Sequence, residues 1–304
     1  MSRSKRKLCL GHKMIRRHKL ISKRVPMLIY RSRFLTRGEV WFDDEPDGTP
    51  VDWIYYRQRS RPVAKGSWKY YHTLLIDLAK SPAELRSEMD ERTLQKVEEA
   101  EAKDQVRWEH CEARESKRMD DIENLWNQFA AATKSPRLDR DWLDKTIEAG
   151  ALELSAVKDA EGNVLTYHLS YAGKTRAQDL IVVSRYSSVP NSALRKRINR
   201  ANCFGHWKNL AAFKERGLRY YDFGGWYPGT TDMRLLGMNA FKKGFGGQVV
   251  RRYDCEQTLT LKGWLVLNAA RVLKRVKFLP SVSEQSSADS APAAVRDPAA
   301  AASA

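Results

Sequence analysis

Residues Tyr220–Gly247 read YYDFGGWYPGTTDMRLLGMNAFKKGFGG. The apolar run Tyr220 to Phe223 predicts a strand, and Gly224-Gly225 at its end permit positive φ and close backbone approach. Asp222 therefore falls at the C-terminal edge of a strand, where open sheets keep functional groups. About twenty residues on, Phe241-Lys242-Lys243-Gly244-Phe245-Gly246-Gly247 mixes cations with bare glycine amides, a composition suited to an anion. Asp222, Lys242, Gly244 and Gly246, with Asn239 just before them, are thus candidate site residues. The intervening segment is expected to be a loop.

Upstream of this stretch, Ser192 to Arg216 has the pattern of a long helix stopped by Gly217. Its start is crowded with Arg195, Lys196, Arg197 and Arg200. Cations at the positive end of a helix dipole are unfavourable unless an anion joins them, so these residues are candidates for holding an anion. Farther along, Asn199, Asn202, His206 and Asn209 are spaced 3, 4 and 3 residues apart, which places them within an arc of about 80° on one helical face. An uncharged polar stripe beside Trp207, Leu210 and Ala211 reads as a pocket wall, with His206 as a candidate general base.

The surrounding pattern implies an α+β fold with a mixed, mainly antiparallel sheet flanked by helices. Val40–Phe42 and Val51–Tyr56 around Asp47-Gly48 suggest a β-hairpin. Tyr70–Ala79 reads as a strand, and Ser81-Pro82-x-Glu84 opens a helix running to about Lys103. A short strand near Val106–His110, helices over Lys117–Thr133 and Asp139–Ala149, and a meander over 152–158, 164–171 and 177–186 follow. Gln248–Tyr253 and Gln257–Leu261 read as two further strands. The divisions expected are a basic flexible arm (1–37), a β-hairpin extension (38–69), the main domain (70–261), an amphipathic basic helix (262–279) and a disordered Ala/Ser/Pro-rich tail (280–304).

The chain has 304 residues and a formal net charge of +17, which implies anionic company. Thirteen Lys or Arg lie between Met1 and Arg37 with no acid among them, and the first carboxylate is Glu39. Such a block is a solvated arm, or one that contacts RNA or anionic lipid. The N-terminal residues lack the apolar core of a secretory signal, and no run is long enough to span a bilayer. Cys9, Cys111, Cys203 and Cys255 are scattered and the six histidines are isolated, so no metal-ligand spacing is present. A reduced, cytoplasmic setting without a metal is expected. The segment Trp264–Leu273, followed by Lys274, Arg275 and Lys277, reads either as a helix docked on the domain or as one lying on an anionic membrane face.

The pairing of Tyr221-Asp222-Phe223-Gly224-Gly225 with Asn239-x-Phe241-Lys242-Lys243-Gly244-Phe245-Gly246-Gly247 resembles the C-terminal signature of the FemAB-like/GNAT (BioF2-like) acyltransferase superfamily. His72–Leu78 followed by Ser81-x-x-Glu84-Leu85 resembles that family's opening strand and helix. The resemblance spans roughly Tyr70 to Tyr253. It implies a GNAT-like fold and transfer of an acyl group from an acyl-CoA-type donor to an amine or hydroxyl of a cell-envelope sugar or polysaccharide precursor. In the roles it implies, Asp222 or His206 takes the proton, Lys242 or the amides near Gly244–Gly247 stabilise negative charge, and Arg195, Arg197, Arg200 and Asn202 face the donor. The family's phosphate loop before the long helix is replaced here by Ser187-Ser188-Val189-Pro190. Two other classes stand beside this one: an aminoacyl transferase using aminoacyl-tRNA, whose contacts would be largely to phosphate, and a binding protein that uses its basic arm on nucleic acid.

Overall fold

Ten strands form one sheet in the order β1-β2-β3-β10-β4-β9-β8-β7-β6-β5, in a computed structural model that describes residues 27–32, 34–133, 135–186 and 189–277. Most of the arm and the whole tail expected from the sequence lie outside the described residues. The strands are β1 (Met27–Arg31), β2 (Thr36–Trp41), β3 (Trp53–Arg59), β4 (Ser67–Asp77), β5 (Arg107–Cys111), β6 (Leu152–Lys158), β7 (Val164–Ala172), β8 (Arg176–Ser184), β9 (Tyr220–Gly225) and β10 (Gln248–Thr258). The helices are α1 (Pro82–Ser87), α2 (Glu91–Ala102), α3 (Ser116–Thr133), α4 (Arg140–Glu148), α5 (Ser192–Glu215), α6 (Met233–Lys243) and α7 (Leu261–Lys277). The fold is α+β, and its sheet is mainly antiparallel, as the alternating patterns imply.

Alternation decides which side of the sheet each helix covers. Val157 joins Leu74, Ile76, Tyr221 and Phe223 in a core that also takes in Val97 of α2 and Ile198, Phe204 and Leu210 of α5. Leu154, Tyr167 and Leu169 point the other way, against Met119 and Ile122 of α3 and Leu143 of α4. The meander β6–β7–β8 is antiparallel throughout. Then α5 carries the chain across the sheet, so that β9 runs parallel to β8, the connection that parallel neighbours require.

Four local expectations are corrected. The segment around Asp47-Gly48 is not a hairpin: β2 and β3 run parallel, Arg37 opposite Trp53 and Val40 opposite Tyr56. Gly48 does turn the chain at φ +82°, but the link from 42 to 52 is long enough to bring β3 back in the same direction. The partner antiparallel to β2 is β1, which lies inside the supposed arm. The helix after Ser81 is two helices, because the Asp90 side chain accepts the Thr93 N–H at 2.6 Å and starts α2 afresh. Gln248–Thr258 is one strand rather than two. The expected loop inside Tyr220–Gly247 contains α6, capped by Asp232, whose carboxylate accepts the N–H groups of Arg234 and Leu235 at 3.0 Å each.

Candidate functional site

The parallel strands β8 and β9 pair at three positions only, Arg176↔Tyr220, Ala177↔Tyr221 and Gln178↔Asp222. Beyond Gln178 and Asp222 they part, leaving a fork at their C-terminal ends. Open α/β sheets bind ligands at such a divergence between parallel strands. A register shift in the β7–β8 pairing falls at the same point, between Leu169 and Ser170 opposite Ile181 and Asp179.

One wall of the fork is a closed polar network. The Asp222 carboxylate is fully buried and accepts from the Arg176 guanidinium (Nε at 2.7 Å), the Thr73 hydroxyl and the Gly224 N–H at 2.7 Å. Arg176 also donates to Gln58 and lies 4.3 Å over the Phe42 ring. Burial pulls the Arg176 pKa down, and Asp222 opposes that pull. Asp222 is thus committed to three donors and would have to leave them to take a substrate proton.

On the α5 side of the sheet, three ionisable groups from three elements meet. His168 of β7, Asp179 of β8 and His206 of α5 each place a ligand-type atom within 4.8 Å of the others. His206 Nδ1 lies 3.0 Å from the Tyr221 hydroxyl. Burial drives the His206 pKa well down, aided by His168 and Lys242, and drives His168 down to about 3. Asp179 goes the other way: burial raises it to about 7, with Lys242 opposing and Asp222 reinforcing. The residue is only partly buried, but its Oδ1 is shielded from solvent and has no hydrogen-bond partner among the described residues. Lys242 faces this group from α6; burial lowers its pKa, while Asp179 and Asp222 raise it. Its Nζ donates to the Gly225 carbonyl at the end of β9.

The trio has the donor set of a two-histidine, one-carboxylate metal site, although the sequence spacing gives no hint of one. The Lys242 ammonium beside it repels a divalent cation. Gly205 makes the arrangement fit, since a Cβ there would run into the His168 ring. Gly205→Ala is therefore expected to destabilise the fold by about 1–3 kcal/mol through overpacking, despite the roughly 1 kcal/mol that alanine gains in a helix. Urea unfolding measures it, and a variant as stable as the parent would show that His168 can move aside.

The other sequence candidates divide. Arg195, Lys196, Asn199 and Arg200 line a cavity of about 630 Å³ with Arg92, Lys96 and Glu99 of α2. Arg200 is held by Asp104 at 2.6 and 2.8 Å, and Arg197 donates to the Asp104 carbonyl at 3.1 Å. Arg92, Lys96, Arg195 and Lys196 supply the remaining positive charge. The first amides of α5 are taken by Asn191, whose side chain accepts from Ala193 and Leu194, so side chains rather than the helix end would hold an anion here. Asn202 Oδ1 is buried without a hydrogen-bond partner among the described residues. Ser187 and Ser188 lie outside the described residues.

Three expectations do not survive. Asn209 is no pocket wall, because its Oδ1 accepts from Trp108 Nε1 at 2.8 Å and Ser155 Oγ at 2.7 Å. Asn239 is spent on Tyr227, accepting its N–H at 3.1 Å and donating to its carbonyl at 2.7 Å. The amides of Gly244 and Gly246 close the end of α6 by donating to Ala240 and Lys243 at 3.0 and 2.8 Å, so they are not a free anion nest. Asp179 and His168 escape the reading of the sequence. Their one signal there is an ionisable side chain next to apolar ones, His168 between Tyr167 and Leu169 and Asp179 before Leu180-Ile181.

On the opposite face, a second cavity of about 340 Å³ is lined by Arg37, Trp41, Arg57, Tyr71, Gln178 and Asp254, among others. A Cβ on Gly225 would stand 3.4 Å from the Tyr71 hydroxyl, so this cavity adjoins the end of β9.

No family model matches the sequence, and no curated protein matches it. Solved structures do. The structure of FemX superposes with a TM-score of 0.56 at 14% identity, covering 80% of this chain and 85% of that one. L-PGS from Bacillus licheniformis gives a TM-score of 0.48 at 8% identity, over 80% and 84%. At that identity the likeness to FemX is one of fold: the chain shares the α+β fold of the FemX structure.

Proposed function

We propose that the protein is an acyl- or aminoacyltransferase whose reaction takes place at the fork between β8 and β9. The observation that carries this reading is the meeting, where the strands part, of a buried carboxylate oxygen without a hydrogen-bond partner among the described residues (Asp179) and a lysine (Lys242). A nucleophilic amine or hydroxyl of the acceptor attacks the donor's carbonyl carbon, and the new C–N or C–O bond forms. Asp179 takes the proton that the nucleophile loses. Lys242 balances the negative charge that develops on the carbonyl oxygen. When the bond to the carrier breaks, the proton passes from Asp179 to the leaving sulfur or oxygen, and the carboxylate is restored. Asp222 positions the strands, and His206 orders the group around Asp179.

The donor is read as a phosphate-bearing carrier held in the cavity of Arg92, Lys96, Arg195 and Lys196, an acyl-CoA in the first instance. The +17 charge favours aminoacyl-tRNA as the second reading. The acceptor, a cell-envelope sugar or precursor, would lie in the cavity of Trp41, Tyr71 and Arg57, whose aromatic and guanidinium groups suit a hydroxyl-rich ring.

Thermal-shift titration with an acyl-CoA and with aminoacyl-tRNA tests the donor. At a hundredfold excess over Kd the bound state should gain about 2.7 kcal/mol. Arg92→Glu combined with Lys196→Glu is expected to weaken that donor about tenfold or more, with the loss shrinking at high salt. Stabilisation by neither donor would end the proposal.

A further inference from the structure

One end of the sheet gathers exposed apolar side chains on a rigid frame. Arg37, Trp53 and Thr258 stand opposite one another across β2, β3 and β10. The β1–β2 turn and the β10–α7 corner both lie just beyond that row. Asp52 ties them together. Its carboxylate accepts the Thr36 N–H and the Thr260 hydroxyl at 2.8 Å each and pairs with Lys262 at 3.0 Å, while its carbonyl accepts the Leu259 N–H at 2.9 Å. Gly263 lets α7 press directly on the Asp52 backbone, where a Cβ would collide with the carbonyl oxygen.

With Gly263 turned inward, the outer side of α7 is fixed. Leu261, Trp264 and Leu265 fall at i, i+3 and i+4, a single stripe, and are 73%, 52% and 53% exposed. Leu259 (50%) and Phe34 (68%) stand at the same end. Scattered exposed apolar residues are ordinary, but a group on segments tied to one buried carboxylate marks a contact surface.

We infer that this end of the molecule is a docking surface for an anionic lipid bilayer. Charge chooses that occupant. From Gln257 to Ser283 the sequence has no acid, and α7 carries Lys262, Arg271, Lys274, Arg275 and Lys277. An apolar stripe followed by cations on one helix is the pattern of a segment lying in the headgroup region of a negatively charged leaflet. No helix among the described residues is long and apolar enough to cross a membrane, so the contact is interfacial. This surface is separate from the fork and does not depend on the transfer chemistry.

The test is co-sedimentation of the full chain with vesicles of phosphatidylcholine alone and of phosphatidylcholine with phosphatidylglycerol. Binding is expected to the anionic vesicles, about tenfold or more above the neutral ones at about 0.15 M salt, and to fall as salt rises. Leu261→Asp combined with Leu265→Asp, both at exposed positions, should reduce it about tenfold. Met233→Asp, on a side chain 77% exposed elsewhere, should leave it unchanged. Absence of binding to anionic vesicles overturns the inference. So does binding that the double variant retains, which would assign it to the basic N-terminal residues. Concentration-dependent self-association that the double variant abolishes would give the surface to a second copy of the chain and overturn it equally. Donor-induced stabilisation measured on the same double variant is expected to match the parent, so failure here and failure of the transferase reading are told apart.

Discussion

Asp222→Ala is expected to cost about 3–5 kcal/mol of folding stability, because it leaves a buried guanidinium without its counter-charge. Arg176 is 5% exposed and Asp222 fully buried. With the carboxylate gone, Arg176 keeps Gln58 and the face of Phe42. The Thr73 hydroxyl still has the Gly224 carbonyl at 2.9 Å, but the Gly224 N–H loses its acceptor. Removing both charges should be far milder than removing one, since apolar replacements of similar volume often equal or exceed a buried pair in stability. Asp222→Leu with Arg176→Met is therefore expected to recover most of the loss. Urea denaturation of the parent and both variants decides it. A cost below about 1 kcal/mol for Asp222→Ala would mean that water or a shifted side chain satisfies Arg176.

The same residue shows how far the sequence could be read. Its place at the end of an apolar run before Gly224-Gly225 singled it out, and the strand and its edge are as that pattern implies. Its role depends on Arg176, 46 residues earlier, and no local pattern contains that distance. The meander β6–β8 and the helix α5 were legible because alternation and helical spacing persist along them. The helix α6 was not, because Gly237 and the glycines around it weaken helical propensity and the decisive signal is a single capping aspartate. The direction of β3 was hidden for a different reason: Asp47-Gly48 announces a turn but not which strand pairs next. Within the site, Arg195 and Lys196 were legible as a cluster on one helix turn. His168, Asp179 and His206 come from three elements, and only the packing of α5 over β7, the neighbour of β8, brings them together.

Asp179→Asn should separate chemistry from stability in the direction opposite to Asp222→Ala. If Asp179 accepts the nucleophile's proton, the amide variant loses transfer by about 10²–10⁴-fold while it folds normally. The stability effect follows from the raised pKa. A carboxyl that titrates at about 7 in the folded chain against 3.8 in the unfolded one binds more protons when folded. It therefore penalises the folded state progressively as pH rises from about 4 to about 7, and by a constant amount above that. The variant carries no such penalty. Its melting temperature is expected to match the parent near pH 4 and to exceed it above pH 7. The parent's transfer rate should fall as pH drops through about 7, because the base is then protonated; Lys242, His168, His206, Tyr221 and Asp222 all face or surround the group and set where that limb lies. Melting curves of parent and variant at pH 4 and pH 8, with the pH profile of transfer, measure both halves. Equal stability at both pH values would place an ion or a proton-sharing partner on Asp179 in solution, and full activity in the variant would remove it from the reaction.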